Sequence, residues 1–365
     1  MRHLKPTAAA LALCLMVATW PDSARADDAG RARAAYAALQ RHLYLPTERL
    51  YNGGPYSYVW PYTQTLAATV AMGSLPRTGG RYTEDVRDRV EGLDAYWNPA
   101  KQPPGYEGSV RPPRGRGGDI SYDDNAWIGL ELVRRYRRTR AAFMLGRAQE
   151  LIALIVSGWD ADPAHPCPGG VPFSQSTRNT DRNTVSNAPS AELGLRLYTI
   201  TLDPAQLDWS MRLYGWVQSC MRTPEGLYQD HITYDGRVDP TIWSYNQGTM
   251  IGANVLLWRV TGKAGYLRRA EAIASAALGY FSPPRMRREP PYFAAIFFDN
   301  LLALDAVRPD ASYRTAARVY ADWAWRKRRD PNTGLFDFRT DGGRVLEQAA
   351  MVRIYATLAG ADSAA

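Results

Sequence analysis

The most constraining feature of this 365-residue chain is a regular alternation of two kinds of amphipathic helical stretch along almost its whole length. One kind mixes charged and apolar residues, as peripheral helices do. These stretches are residues 29–43, 82–97, 141–159, 204–221, 264–281 and 311–325. The other kind is more apolar and less charged. Those stretches are residues 58–72, 124–136, 185–198, 247–260, 292–306 and 346–358. The alternation predicts six pairs of one outer and one inner helix.

The spacing within and between the stretches predicts how they assemble. Apolar residues such as Ile128, Leu132 and Val133 recur at helical rather than strand spacing. Successive inner stretches start about 45–66 residues apart, which suits two helices plus a loop. Six such hairpins can close into a ring with the less charged helices at the centre. We therefore predict an all-α fold, an (α/α)6 toroid of six helical hairpins that forms a single domain over residues 27–365.

The N-terminus indicates export. A basic start at residues 1–5 precedes an apolar core at residues 8–20, which is too short for a membrane span, and Ala24 and Ala26 supply an A-x-A cleavage pattern. We expect a secretory signal peptide over residues 1–26, cleaved after Ala26, and a secreted product, extracellular or periplasmic. No later stretch is long and apolar enough to span a bilayer, so stable membrane insertion is not expected.

The cysteines leave two possibilities open. Cleavage removes Cys14 and leaves Cys167 and Cys220, 53 residues apart, in an oxidising compartment. The two residues can form one disulfide or remain as two buried thiols. The sequence does not decide between these states.

Charge and histidine content exclude several classes of partner. The formal net charge is +8, but the arginine runs fall late in helical patterns, where cations suit the helix dipole, and no nucleic-acid-binding motif accompanies them. We expect a monomer that does not bind nucleic acid. His42, His165 and His231 lack the spacing of metal ligands, so neither a metal nor another cofactor is expected.

Two adjacent carboxylates, Asp123 and Asp124, stand just before an apolar helical run. In mid-helix neighbouring side chains diverge by about 100°. At the first turn they can converge, and the free N–H groups there favour negative charge. An N-cap aspartate followed by a first-turn aspartate is the simpler interpretation. Tyr122 and Trp127, which can stack on sugar rings, and the long Pro- and Gly-rich segment 98–121 favour a functional one.

Polar and aromatic residues gather at the start of the other inner stretches as well. They are Tyr58, Trp60, Tyr62, Gln64, Asn183, Asn187, Trp243, Tyr245, Asn246 and Gln247. All inner helices of a toroid run the same way, so these ends should surround one mouth. An uncharged, amide- and hydroxyl-lined cleft with aromatic walls suits a neutral polysaccharide.

The run YDDNAWIG at residues 122–129 resembles the signature of glycoside hydrolase family 76, which contains bacterial endo-α-1,6-mannanases and related fungal cell-wall proteins. Residues 183–198, 234–236, 243–262 and 296–304 resemble the same family in the same order. The resemblance implies an (α/α)6 barrel, an α-mannan polysaccharide substrate, a retaining mechanism and no metal. Valine, proline and phenylalanine at 171–173 depart from the tryptophans that the family usually has there.

The resemblance also implies residue roles. Asp123 would be the nucleophile and Asp124 the general acid/base, as in a retaining pair with carboxyl groups about 5–5.5 Å apart. The expected sugar contacts are Tyr122, Trp127, Asn187, Asp235, Trp243, Tyr245, Asn246 and Gln247. Two alternatives stay open, which are an α-mannan transglycosylase and a non-catalytic glycan-binding protein on the same scaffold.

Overall fold

The computed structural model describes residues 27–363, in which long helices alternate between an outer and an inner layer. The helices in chain order are α1 (Asp28–Leu43), α2 (Val59–Met72), α3 (Thr83–Gly92), α4 (Tyr122–Thr139), α5 (Ala142–Ser157), α6 (Thr184–Thr201), α7 (Pro204–Cys220), α8 (Ser244–Thr261), α9 (Ala264–Tyr280), α10 (Pro283–Met286), α11 (Pro291–Asp305), α12 (Ala311–Lys327) and α13 (Gly343–Ser363). The predicted signal peptide, residues 1–26, and Cys14 within it lie outside the described residues.

The inner helices form a closed ring, in which α2, α4, α6, α8, α11 and α13 each pack against the next and α13 returns to α2. The outer helices cover them, with α3 on α2, α5 on α4, α7 on α6, α9 on α8, α12 on α11 and α1 on α13. The predicted (α/α)6 toroid is therefore confirmed. Because the last inner helix packs against the first, one continuous apolar core runs around the ring.

Short strands lie in the connections of the described chain. They are β1 (Tyr44–Leu45), β2 (Leu50–Tyr51), β3 (Trp97–Asn98), β4 (Gly105–Tyr106), β5 (Asp181–Asn183), β6 (His231–Thr233) and β7 (Val238–Asp239). β1 pairs with β2 and β3 with β4, and β5, β6 and β7 form an antiparallel three-stranded sheet in that order. The segment 98–121, predicted as irregular, thus contributes a strand to a hairpin.

The outer helix predicted over residues 82–97 is shorter in the structure. α3 ends at Gly92, and Leu93–Ala95 forms a 3-10 turn before β3. The hydroxyl of Tyr62 lies against Gly92 and donates a hydrogen bond to the carbonyl of Arg89 at 3.0 Å, so the helix ends where an inner-helix side chain crosses it. The sequence pattern carries no sign of this tertiary contact.

Three inner helices, α4, α6 and α8, hold the loop before them with the same hydrogen-bonding device, which we call the amide bracket. The side-chain amide of the fourth helical residue accepts from the N–H and donates to the C=O of one loop residue, and it also donates to the carbonyl just before the helix. The pairs are Asn125 with Tyr106, Asn187 with Val171, and Gln247 with Tyr228, with bonds of 2.8–3.0 Å. Each connection is thereby fixed to the helix that it enters.

Buried ion pairs lie in the C-terminal halves of the inner helices. The sequence pattern indicated that these helices carry little charge. Asp299 on α11 contacts Arg353 of α13 at 2.6 Å and Arg134 of α4 at 3.8 Å, and Arg134 also lies 3.5 Å from Glu131. Arg353 donates to Gln64 of α2 at 3.1 Å. Asp299 thus has partners on two other helices, α13 and α4, and the contact of α13 with α2 through Arg353 and Gln64 forms only when the ring closes.

Cys167 and Cys220 form a disulfide, which settles the alternative that the sequence left open. It links the loop after α5 to the end of α7 and closes a loop of 53 residues. A cross-link of that length stabilises the fold by about 4 kcal/mol in the chain-entropy model. In the same part of the chain, the carbonyl of Cys167 accepts hydrogen bonds from Arg182 at 2.9 Å and Trp216 at 3.1 Å.

Across residues 27–363, none of the helices combines the length and the apolar character that crossing a membrane requires.

Candidate active site

The start of α4 is held between two loops. The Tyr122 N–H donates to the carbonyl of Phe173 at 2.9 Å, and the Asn125 amide bracket holds Tyr106 on the other side. Ser121 before the helix is extended, with φ −89° and ψ 132°, and its side chain does not cap the helix. The second and third helical residues are Asp123 and Asp124. The first-turn N–H groups therefore stabilise negative charge at these two side chains.

Both carboxyl groups of the pair have raised pKa values. Asp123 is 8% exposed, and its Oδ1 is buried with no hydrogen-bond partner among the described residues. Burial and the neighbouring Asp124 raise the pKa of Asp123 well above its usual range. Burial raises the pKa of Asp124 to about 7, against the opposing effect of the Ser121 hydroxyl. Two carboxyl groups with such values suit acid/base chemistry near neutral pH.

The two carboxyl groups are adjacent and interact, so they titrate as a pair, and a proton left on the pair is shared between Asp123 and Asp124. The Ser121 hydroxyl favours the charged form of Asp124.

Aromatic side chains from four inner helices form a connected row near the helix starts. Trp60 of α2 lies 5.9 Å from Trp127 of α4 and 6.5 Å from Tyr292 of α11, measured between ring centroids. Phe293 continues the row at 4.8 Å from Tyr292, and Tyr245 of α8 lies 4.1 Å from Phe293. These rings form an aromatic wall at the mouth, suited to stacking on the apolar faces of sugars.

Tyr245 connects the wall to the acidic groups. Burial raises the pKa of Tyr245 well above its usual range, and the charges of Asp230, Asp123 and Glu289 raise it further. The tyrosine is therefore a neutral hydroxyl donor at neutral pH, placed among three carboxyl groups. Glu289 in turn accepts from the Ser244 N–H at the start of α8 at 3.0 Å.

Several sequence-predicted sugar contacts have other partners in the structure. The side-chain amides of Asn187 and Gln247 form the brackets that hold the preceding loops. Tyr122 is buried with its ring against Gly158, at the end of α5. The side chain of Asp235 is 61% exposed on the β6–β7 turn, where it pairs with Arg237 at 3.1 Å. Each of these four side chains contacts residues other than the acidic pair, in a supporting or surface position.

Other predicted residues keep groups that a ligand could use. Asn246 is fully buried, and neither its Oδ1 nor its Nδ2 has a partner among the described residues. The Trp127 indole N–H is likewise buried and without a partner in residues 27–363. Trp243 is half-buried at the start of α8, with its ring 5.3 Å from Phe293. These three side chains and Tyr245 remain the sugar-contact candidates.

Sequence reasoning missed Asp230, Glu289, Tyr292 and Phe293. The aromatic pair stands at the start of the inner stretch 292–306, so the rule that located Trp243 and Tyr245 at an inner-helix start would also have found it. Asp230 and Glu289 lie in connections outside any helical pattern, and only the folded chain brings them to Tyr245.

Asp230, His231 and Asp239 are the residues with metal-ligand geometry in the described chain, since each offers a ligand atom within 4.8 Å of the others. The sequence spacing gave no indication of this cluster, because the pairing of β6 with β7 brings Asp239 to His231.

Comparison with known proteins gives a consistent result. The model of glycosyl hydrolase family 76 matches residues 34–341. A mannan endo-1,6-alpha-mannosidase of Candida glabrata is 28% identical over 135 residues, which are 34% of this chain and 29% of that protein. Its Saccharomyces cerevisiae counterpart is 27% identical over 145 residues, 37% of this chain and 31% of that protein. The matched segment thus spans about a third of the length of these curated relatives.

Solved structures share the fold. A family 76 mannosidase of Bacteroides thetaiotaomicron superposes with a TM-score of 0.82 at 22% identity, covering 92% of this chain and 99% of that one. An inactive variant of an α-1,6-mannanase of a Salegentibacter species, in complex with α-1,6-mannotriose, superposes with a TM-score of 0.72 at 20% identity, covering 91% and 99%. At these identities the similarity supports the toroid architecture.

We expect an aspartate carboxyl group to titrate near pH 7. Burial raises the pKa of Asp124 to about 7, so its carboxyl group is protonated below that pH and ionises as the pH rises through it. The measurement is a pH titration followed by ¹³C NMR with aspartate labelled at Cγ. The signal should disappear in Asp124→Asn and persist in Asp119→Asn, an exposed residue just before the helix. Titration of the Asp124 signal near pH 4 would contradict the burial argument.

Proposed function

Because this chain belongs to glycosyl hydrolase family 76, we propose that it hydrolyses α-1,6-mannosidic bonds in mannan. The observation that carries the proposal is the pair Asp123 and Asp124, two consecutive carboxyl groups with raised pKa values at the start of an inner helix. The pair lies at the start of an inner helix of a closed ring, and Tyr245 of the aromatic wall interacts electrostatically with Asp123. Retaining glycosidases require two carboxyl groups within such a short reach of each other.

In the first step the ionised carboxylate of Asp123 attacks the anomeric carbon. The bond from that carbon to the glycosidic oxygen breaks, and the carboxyl proton of Asp124 passes to the leaving oxygen. The products are a mannosyl ester on Asp123 and the shortened chain with a free hydroxyl. The first-turn N–H groups of α4 stabilise the attacking carboxylate before the bond forms.

In the second step the Asp124 carboxylate takes a proton from water, and the water oxygen attacks the anomeric carbon. The ester bond breaks and Asp123 leaves as a carboxylate, so both groups return to their starting state. If a second sugar hydroxyl replaces water, the same residues transfer the chain instead. Hydrolysis therefore requires that water reach the anomeric carbon through the aromatic mouth.

The two roles require that one proton remain on the pair when substrate is bound, and that this proton lie on Asp124. An acceptor oxygen placed at Asp124 favours that position, because it offers the protonated form of Asp124 a hydrogen bond. The assignment of Asp123 as nucleophile rests on the family pattern, and the experiments below test it directly.

The relatives support the choice of substrate. The curated fungal relatives are named as mannan endo-1,6-alpha-mannosidases. The Salegentibacter α-1,6-mannanase was captured with α-1,6-mannotriose as an inactive variant in which two consecutive aspartates are replaced by asparagine. The uncharged aromatic wall of this chain suits a neutral hexose polymer of the same kind.

We also propose that the protein is exported and acts as a monomeric single domain over residues 27–365, after loss of the signal peptide 1–26. The Cys167–Cys220 disulfide supports this proposal, because such bonds persist in oxidising compartments.

Asp123→Asn and Asp124→Asn should each fold normally and lose hydrolysis of linear α-1,6-mannan. Removal of the acid/base group should cost about 10²–10⁴-fold in kcat. Removal of the nucleophile should cost about 10⁴-fold or more. The measurement is release of reducing ends, with circular dichroism to check folding. Asp119→Asn is the matched control, because it removes an exposed aspartate three residues before the helix. Near-normal activity in either pair variant would remove that residue from the mechanism.

The same variants separate the two roles when the substrate is a dinitrophenyl α-glycoside of 1,6-linked mannotriose. This leaving group needs no proton, so Asp124→Asn should form the covalent intermediate at a near-normal rate and Asp123→Asn should not. The reverse pattern would exchange the roles of the two aspartates.

Hydrolysis should proceed with retention, so the first-formed reducing end should be the α anomer. Side chains one residue apart can hardly span the roughly 6.5–9.5 Å that an inverting enzyme leaves for its water. Proton NMR of the anomeric signals during the first minutes of reaction makes the measurement. If the β anomer is formed first, a more distant carboxyl group such as Asp230 must partner one of the pair.

The exported protein should begin at Asp27 and carry the disulfide. Intact mass spectrometry of protein collected outside the cytoplasm measures the cleavage site, and reduction should add the mass of two hydrogens. Size-exclusion chromatography should give a monomer. A product that retains residues 1–26 would refute the proposed signal peptide.

A further inference from the structure

The β5–β6–β7 sheet, at the edge of the mouth, presents a row of polar side chains on one face. The register pairs Asn183 with His231, and His231 with Asp239, so the three residues form one cross-strand row. Directly paired residues of antiparallel strands point to the same face, with Cβ atoms about 4.5–5.5 Å apart. Arg182 points to the other face, where it is buried and contacts Asp160 at 3.0 Å. Strand β5 therefore contributes no positively charged side chain to the row.

Asp230 joins this row from the start of β6. Its backbone N–H donates to the carbonyl of Asp239 at 3.2 Å, and its carbonyl accepts from the Thr184 N–H at 2.8 Å. The Oδ2 of Asp230 lies 3.0 Å from Nδ1 of His231. Ligand atoms of Asp230, His231 and Asp239 all lie within 4.8 Å of one another. Two ligands of one divalent cation lie at most about 4.2 Å apart, so small side-chain rotations close the set.

An unsatisfied oxygen marks the same row. Asn183 is 7% exposed, and its Oδ1 is buried without a hydrogen-bond partner among the described residues. A buried amide oxygen left in this state costs about 1–3 kcal/mol. A cation bound beside His231 would give this oxygen a partner, because amide oxygens are metal ligands.

The negative charges around the row also favour a bound cation. Asp230 interacts electrostatically with Asp239 and with Asp181, which lies on the face of β5 that carries Asn183. His231, whose Nδ1 lies 3.0 Å from Asp230, lowers the pKa of that carboxyl group. Asp235 and Arg237, on the adjoining turn, neutralise each other at 3.1 Å.

We propose that Asp230, His231, Asp239 and the side-chain oxygen of Asn183 bind one divalent cation of the Mn²⁺ or Zn²⁺ type. Imidazole nitrogen combined with carboxylate oxygens suits these ions better than Ca²⁺ or Mg²⁺, which prefer oxygen alone. The ion ties β7 to β5 and to the start of α6 at the edge of the mouth. The inference does not depend on the proposed mannan hydrolysis.

The test measures metal binding without substrate. The mature protein is treated with EDTA, dialysed, and titrated calorimetrically with MnCl₂ and with ZnCl₂. We expect one ion per chain for at least one of the two metals, and a rise in melting temperature with that metal. Asp239→Asn and His231→Gln should each weaken binding by at least about tenfold and abolish the rise in melting temperature.

Two control variants keep the test specific. His165→Gln removes a histidine whose Nδ1 also contacts an aspartate, Asp160, at 2.9 Å. Asp235→Asn removes the exposed carboxylate of the β6–β7 turn. Both should bind metal as the unsubstituted protein does. Asp239→Asn is isosteric and can still accept the Thr241 N–H at 2.9 Å, so its fold should persist, with circular dichroism as the check. Absence of binding at millimolar metal, or binding unchanged in both ligand variants, would overturn the proposal.

Discussion

The mouth of this toroid depends on the amide brackets with which inner helices bind the connections that enter them. Asn125, Asn187 and Gln247 each make three hydrogen bonds in a buried setting. One such bond contributes about 0.5–1.5 kcal/mol net, but a buried partner left unpaired costs about 1–3 kcal/mol. The brackets therefore fix long connections against helix starts, and the connections then carry the groups around the acidic pair. Side chains that resemble ligand contacts in the sequence serve here as the frame of the site.

The acidic pair depends on backbone N–H groups that this frame leaves without a side-chain partner. The start of α4 has no side-chain cap, so its first-turn N–H groups are free to favour negative charge on Asp123. Burial opposes that charge and raises both pKa values, and the neighbouring carboxyl group raises the pKa of Asp123 further. The balance keeps a proton on the pair near neutral pH while a carboxylate remains accessible to chemistry. The Tyr245 hydroxyl is neutral at neutral pH, and the charges of Asp123 and Asp230 both raise its pKa further.

The two ends of the ring carry different groups, because all inner helices run in the same direction. N-terminal ends of the inner helices gather at the mouth with aromatic rings such as Trp60 and Tyr292. The C-terminal halves hold buried ion pairs centred on Asp299 and Arg353, with contacts among neighbouring helices. Buried charges of this kind are tolerated only when fully matched, so they depend on ring closure and add little to the stability of any single hairpin. A chain cut before α13 would leave Asp299 without Arg353.

The sequence by itself determined the toroid, the family and the position of the acidic pair, because these depend on local signals. Helical periodicity, alternation of charged and apolar stretches and the adjacency of Asp123 and Asp124 need no knowledge of distant contacts. The tertiary structure alone decided which polar side chains face the mouth. Asn187 resembles a ligand contact until Val171 occupies its amide. Asp230 and Asp239 have no pattern in the sequence, because strand pairing and helix packing bring them to His231 and Tyr245. Interactions between residues far apart in the chain appear only when the ring closes, and they assign each polar group to the frame, the surface or the site.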